Sequence, residues 1–284
     1  EDLVLKNKTY LDMILSDAFT HQTYYMGLVD ENNCVNFSVG KVRVVDPTGK
    51  ELVKYGPEQY LDVIAEHVEP WTYLKFPYLK AVGWKGLVDG MDSGVYRASP
   101  RSRLNAADGM ATPLAQKEYE RFFKTLGGKP VHATLATHWA RLIELLYAAE
   151  RSLELATDPE ITSKEVRTIP TETPTEGIGI VEAPRGTLTH HYATDENGLI
   201  RQVNLVVGTT NNYAAIDMSI KKAAQALVQP GKPVDDAVMN KIEMAFRAYD
   251  PCFGCATHAA PGNVPLIVRV FDHRQCQVQE LRRD

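Results

Sequence analysis

The stretch His132-Ala-Thr-Leu-Ala-Thr-His-Trp-Ala-Arg-Leu-Ile-Glu-Leu-Leu-Tyr-Ala-Ala-Glu-Arg-Ser-Leu-Glu-Leu-Ala156 decides the fold class. Leu135, Trp139, Leu142, Leu146, Ala149 and Leu153 recur at steps of 4, 3, 4, 3 and 4. This predicts one long helix with the stripe turned into a bundle interior. Just upstream, Thr112-Pro113 has the form of a helix cap and first residue, and Gly127-Gly128 that of a helix end, so a second helix is predicted between them. Val82 to Ala111 is rich in Gly, Asp, Ser and Arg without a sustained period and reads as a long loop. Nearer the N-terminus, residues 35 to 55 read as a hairpin turning at Asp46-Pro-Thr-Gly-Lys. A helix is then predicted from Pro57, with Tyr60, Leu61, Ile64 and Val68 on one face, until Pro70 ends it. Downstream, Pro170 to Thr175 is a Pro/Thr linker. Strands are predicted over 178–183, 187–193 and 199–207, the last two joined by Asp195-Glu-Asn-Gly. Helices follow over about 213–228 and 234–248, then a tail hairpin over 264–281. The expected class is mixed α/β, a helical bundle with peripheral β-hairpins.

The 284 residues suit roughly one or two domains, and 44% apolar with 24% charged residues is ordinary globular composition. A formal charge of −5 offers no basic surplus for a nucleic-acid partner. Four cysteines are too few for a disulfide framework, which points to a reducing compartment and to metal or redox use of the pair that is close together. No apolar run approaches the ~18 residues that a membrane span needs, and Glu1-Asp2 does not begin a signal peptide.

Three segments carry candidate chemistry. In Asp250-Pro-Cys-Phe-Gly-Cys-Ala-Thr-His258, two thiolates three residues apart can address one centre and His258 a neighbouring position. Spacing alone leaves open a zinc half-site, a thioredoxin-like redox pair or another metal centre. Haem attachment is excluded because His does not directly follow the second Cys. Cys34 and Cys276 are isolated and read as small buried hydrophobes. The second segment, Gly177-Ile-Gly-Ile-Val-Glu-Ala-Pro-Arg-Gly-Thr-Leu-Thr-His-His191, lacks the third glycine of a dinucleotide fingerprint. Within it Arg185, between Pro184 and Gly186, sits at a strand end where a guanidinium can serve an anion or simply face solvent. His190 and His191 are adjacent on that strand and point to opposite faces, so at most one can look into a given site. The third segment, Val206-Val-Gly-Thr-Thr-Asn-Asn212, reads as turn and cap chemistry for the following helix.

In order and spacing, Glu182-Ala-Pro-Arg-Gly186, Val207-Gly-Thr-Thr210 and Asp250-Pro-Cys-x-x-Cys-x-x-His258 resemble the C-terminal part of a nickel-iron hydrogenase large subunit. Glu69-Pro-Trp-Thr-Tyr-Leu-Lys-Phe-Pro-Tyr78 and His138-Trp-Ala-Arg-Leu-Ile-Glu144 are similar to the cytoplasmic, multi-subunit branch with NAD-reducing and methyl-viologen-reducing (F420-non-reducing) enzymes. The resemblance runs along nearly the whole chain. It implies Cys252 as a terminal nickel ligand and Cys255 as a thiolate bridging nickel and iron. It also implies His258 as ligand to a magnesium or similar ion beside the site, helped by the backbone carbonyl near Leu205. Arg185 and Thr209 would donate to the cyanides of an iron that also carries carbon monoxide, Pro184 and Leu188 would line the dry pocket around the carbonyl, and Glu182 would orient these groups.

The implied reaction is reversible heterolytic cleavage of H2, with Cys252 as the base and Arg185 its rival, disfavoured because a guanidinium gives up its proton only with great difficulty. Electrons would leave through an iron-sulfur small subunit, then through further electron-transfer subunits, since this chain has too few cysteines for clusters of its own. The family's N-terminal cysteine pair is missing, as is a starting Met. The chain is therefore expected to be a fragment or split-gene product that relies on a missing N-terminal segment. The 26 residues from Ala259 to Asp284 resemble a maturation peptide that an endopeptidase removes by cutting between His258 and Ala259. The expected organisation is 1–169 for the hairpin and long-helix region, 170–258 for the active-site region and 259–284 for the cleaved peptide. Rival readings are a non-catalytic hydrogenase-like scaffold and a zinc or thiol-redox protein.

Overall fold

A computed structural model describes residues 7–252 and 266–283. Helix α1 (Lys8–Ile14) precedes strands β1 (Tyr24–Val29), β2 (Cys34–Val35), β3 (Lys41–Val45) and β4 (Glu51–Tyr55). Next come a short α2 (Tyr60–Val63), the pair β5 (Ile64–Val68) and β6 (Lys75–Leu79), strand β7 (Tyr96–Arg97), helix α3 (Pro100–Ala106) and strand β8 (Gly109–Met110). The long helices α4 (Pro113–Thr125) and α5 (Thr137–Thr157) follow. A meander of β9 (Glu176–Ala183), β10 (Gly186–Thr194) and β11 (Ile200–Val207) leads to α6 (Tyr213–Leu227) and α7 (Asp236–Arg247). The hairpin β12 (Leu266–Phe271) and β13 (Gln277–Arg283) ends the described chain.

The mixed α/β class and the order of the late elements are as expected. The main sheet runs β4-β3-β1-β2-β8, with β7 parallel to β1. All six residues of β1 are buried, so this sheet is central to the core rather than a rim. Its Val29, Val35 and Met110 pack with Phe122, Trp139, Ile143 and Tyr147 of α4 and α5, while Met26, Leu28, Val42 and Val44 pack with Tyr60, Ile64, Leu79 and Ile180, each buried aliphatic side chain contributing about 1.5–3 kcal/mol of burial free energy.

Three expectations are corrected. The buried face of α5 is Trp139, Ala140, Ile143, Glu144 and Tyr147, whereas Leu142 is 49% and Leu153 70% exposed. The helix is apolar on more than one side, so periodicity alone selects a neighbouring stripe. The helix expected up to Pro70 stops at Val63. Ile64–Val68 pair antiparallel with Lys75–Leu79 instead, as β-branched residues favour when a partner strand is at hand. The expected loop 82–111 holds α3 and two strands, and Arg97, Arg101 and Arg103 within it are fully buried.

Candidate active site

The β9–β10 hairpin closes through a two-residue turn, Pro184-Arg185, since Gly186 pairs with Ala183. β11 brings Val207 opposite Leu188 and Leu205 opposite His190, and a 3-10 turn over Gly208–Asn212 then carries Thr209 beneath the hairpin turn. After α7 the chain returns with Asp250 in the left-handed region (φ 52°). Three sequence-distant segments therefore meet. Arg185 Nε donates to the Asp250 carbonyl at 2.6 Å and lies 3.4 Å from its carboxylate, while the Cys252 amide donates to Thr209 Oγ1 at 3.1 Å. The Arg185 side chain is 37% exposed, and its terminal nitrogens bond no described residue. Cys252 is disulfide-bonded. Cys255, His258 and Ala259 lie outside the described residues.

Beneath the turn lies a charged cluster. Arg103 on α3 forms a two-pronged pair with Glu144 of α5, both contacts 2.6 Å. It also donates to Glu182 at 2.8 Å and to the Ala183 carbonyl at 2.8 Å. The other oxygen of Glu182 accepts from the Leu28 amide at 2.7 Å and the Thr187 hydroxyl at 3.0 Å. Burial alone would lower the Arg103 pKa, but Glu144 and Glu182 outweigh it and hold the guanidinium above its ordinary range. A cavity of about 240 Å³ opens beside this cluster, bounded by Arg103, Glu144, Arg141, Phe37 and Pro184. Arg141 donates to the Ala248 carbonyl at 3.1 Å.

Sequence reasoning brought Arg185, Thr209, Cys252, Pro184 and Leu188 to one region, and Glu182 beneath it. It missed Arg103, Glu144, Asn211 and Asn212, and gave Asp250 no role. Ser99-Pro100, a serine before a proline suited to the first turn of a helix, was the available signal for α3. Asn212 stands at the N-cap position of α6, but its side chain makes no cap hydrogen bond. Asn211 bridges Tyr96 and the Thr187 carbonyl at 2.7 Å each, and Asn212 bridges the Ala98 amide and the Arg185 carbonyl at 2.9 Å each. His190 contacts Tyr192, and His191 contacts Tyr60 and Glu176. Cys34 is half-buried, and Cys276 is exposed rather than buried, because it sits in the tight turn between β12 and β13. Among the described residues no three His, Cys, Asp or Glu side chains converge as a metal ligand set, and no helix is long and apolar enough to cross a membrane.

The model of the nickel-dependent hydrogenase family matches residues 66–258. The iron-sulfur subunit of an F420-non-reducing hydrogenase from Archaeoglobus profundus is 47% identical over 99% of this chain and 58% of its own length. The beta subunit of the NAD-reducing hydrogenase HoxS from Cupriavidus necator is 42% identical over 87% of this chain and 49% of its own. An NAD+-reducing nickel-iron hydrogenase crystallised in the H2-reduced state superposes with TM-score 0.79 at 37% identity, covering 88% of this chain and 53% of that one. The chain thus spans about half the length of these relatives. The convergence of the Pro-Arg turn, the Thr209 turn and the Cys252 segment agrees with the family match over those same segments, and the chain belongs to the nickel-dependent hydrogenase family.

Proposed function

We propose that this chain is the C-terminal part of the catalytic large subunit of a nickel-iron hydrogenase that cleaves H2 reversibly and heterolytically. The observation that carries this reading is the seating of Cys252 on Thr209 beside an arginine whose terminal donors bond no described residue. A nickel-iron centre whose iron bears cyanide and carbon monoxide calls for soft sulfur donors and for hydrogen-bond donors that offset buried negative charge. Cys252, once reduced, supplies sulfur, and Arg185 has terminal N–H groups that bond none of the described residues. Thr209 accepts from the Cys252 amide through oxygen and keeps its hydroxyl proton to donate. The residues present fit the group.

In this reading Cys252 and Cys255 would hold the nickel-iron centre through their sulfurs. His258 and the Leu205 carbonyl hold a magnesium or similar ion. When bound, the bimetallic centre supplies the Lewis acidity that polarises H2. Cys252 Sγ takes the proton. Arg185, tied to Asp250, would donate hydrogen bonds to the cyanides. Pro184 and Leu188 keep water from the carbonyl, and Glu182 holds the turn that presents them.

Electrons pass to an iron-sulfur small subunit, then on to further electron-transfer subunits in the cytoplasm. The other half of the cysteine set comes from polypeptide corresponding to the part of the relatives that this chain does not span. Cleavage between His258 and Ala259 by a maturation endopeptidase completes the large subunit. The test is H2 oxidation with a viologen acceptor by the chain co-produced with its complementary segment and small subunit. A rate that falls at least a hundredfold in Cys252→Ser supports the reading. Unchanged activity in that variant refutes it and favours a scaffold role for this chain.

A further inference from the structure

We infer that Arg103 and Asn212 form a clamp that sets the aim of Arg185, making them positioning residues for the reaction proposed above. Two-residue hairpin loops favour turns with positive φ at their central residues, yet neither Pro184 nor Arg185 has positive φ. The turn is therefore not held by its own backbone geometry. Instead its three consecutive carbonyls are each gripped by a buried side chain. Arg103 donates to Ala183 O at 2.8 Å and to Pro184 O at 3.4 Å, and Asn212 donates to Arg185 O at 2.9 Å.

The clamp is itself anchored on three sides. Glu144 fixes the Arg103 guanidinium in its plane from α5, Glu182 ties it to β9, and the Ala98 amide holds the oxygen of Asn212. Next to the turn, a Cβ on Gly186 would lie 2.8 Å from Gly208 O and 3.0 Å from Ala98 O, so hairpin, 3-10 turn and the segment before α3 are locked together. The Arg185 side chain, by contrast, is tethered only by Asp250 among the described residues. Its Cα position, and so the reach of its guanidinium, is fixed from below. A planar fork of five donors can hold adjacent carbonyls and two carboxylates at set angles, which a lysine cannot do.

The test uses the full large subunit in complex with its small partner, as wild type and as Arg103→Lys, Asn212→Asp and Arg185→Lys. Asn212→Asp keeps the acceptor for Ala98 and removes the donor to Arg185 O, together with its longer 3.4 Å contact to Gly208 O, and serves if Arg103→Lys does not fold. Two readouts are taken, amide hydrogen exchange and the infrared cyanide bands. In either clamp variant, exchange at residues 185–187 should accelerate at least tenfold with residues 139–147 of α5 unchanged. The cyanide bands should move in the same direction as in Arg185→Lys. Exchange at the turn that stays at the wild-type rate, or that rises equally in α5, overturns the clamp. So do cyanide bands that move in Arg185→Lys but not in the clamp variants. A wild type with no cyanide bands fails the proposed function instead, and the exchange data then judge the clamp alone.

Discussion

Replacing Arg103 by Met should expose how the buried cluster stabilises the fold. The Arg103 side chain is 1% exposed, as is that of Glu182, and Glu144 is 7% exposed. Arg103→Met leaves Glu144 without its two 2.6 Å donors and Glu182 without one. Removing one member of a buried pair typically costs about 3–5 kcal/mol, because the remaining charge is stranded in a medium that solvates it poorly. Glu144→Leu alone should cost less, about 1–3 kcal/mol, since Arg103 keeps Glu182 as counter-charge. In the double variant no stranded Glu144 remains. It should be more stable than Arg103→Met by about 1–3 kcal/mol, with a coupling energy of at least ~2 kcal/mol between the two sites. Urea unfolding of the four proteins at pH 7 measures the cycle. Additivity within ~0.5 kcal/mol would show that the two groups do not act as a pair, and the electrostatic account of this cluster would fail.

Three further outcomes follow from the same structure. Gly186→Ala places a Cβ 2.8 Å from a backbone oxygen and should destabilise by about 1–3 kcal/mol in urea unfolding; an unchanged midpoint would contradict the close packing of the turn. Arg101 is fully buried, its Nε and Nη2 lack hydrogen-bond partners among the described residues, and burial followed by the neighbouring Arg97 pushes its pKa down to about 10. Arg101→Met should therefore raise the thermal midpoint, with a stability gain of about 1–3 kcal/mol, and a lower midpoint would show that the charge is compensated. His132 is pushed down to about 4 by burial and then by Arg101 and Arg97. With a folded pKa below the unfolded value of about 6.5, stability is intact above pH 6.5 and declines as pH falls toward 4. After allowance for the ring's partial exposure the loss is about 1–2 kcal/mol. His132→Gln should flatten that acid limb of the stability profile, and a limb of unchanged slope would assign it elsewhere.

How far the sequence could be read depended on where each segment's hydrogen bonds go. The β9–β11 meander was legible because alternation and the Asp195-Glu-Asn-Gly turn are local signals, and α4 because Thr112-Pro113 and Gly127-Gly128 bracket it. Thr112 nonetheless turns its hydroxyl to Glu150 of α5 instead of capping α4. For α5, existence was legible but the buried face was not, since Leu142 and Leu145 compete in pattern with Ile143 and Tyr147 and only the tertiary contacts decide. The segment 82–111 was opaque for a related reason. Three arginines suggest a solvated loop, and Arg103 is buried only because Glu144 and Glu182, 41 and 79 residues away, meet it in space. The candidate site divides likewise. Arg185, Thr209 and Cys252 stand in recognisable motifs, whereas Asn212 reads as a helix cap until the fold sets it under the Arg185 carbonyl.

The central claim is that the Cys252 segment and the Arg185 turn form half of a bimetallic cradle. Metal analysis of the chain co-produced with its complementary segment and small subunit tests this most directly. The account predicts about one nickel and one active-site iron per large subunit, beyond the iron of the small subunit's clusters, both lost in Cys252→Ser. Zinc alone in the wild-type protein, or nickel and iron retained in full by that variant, would contradict it.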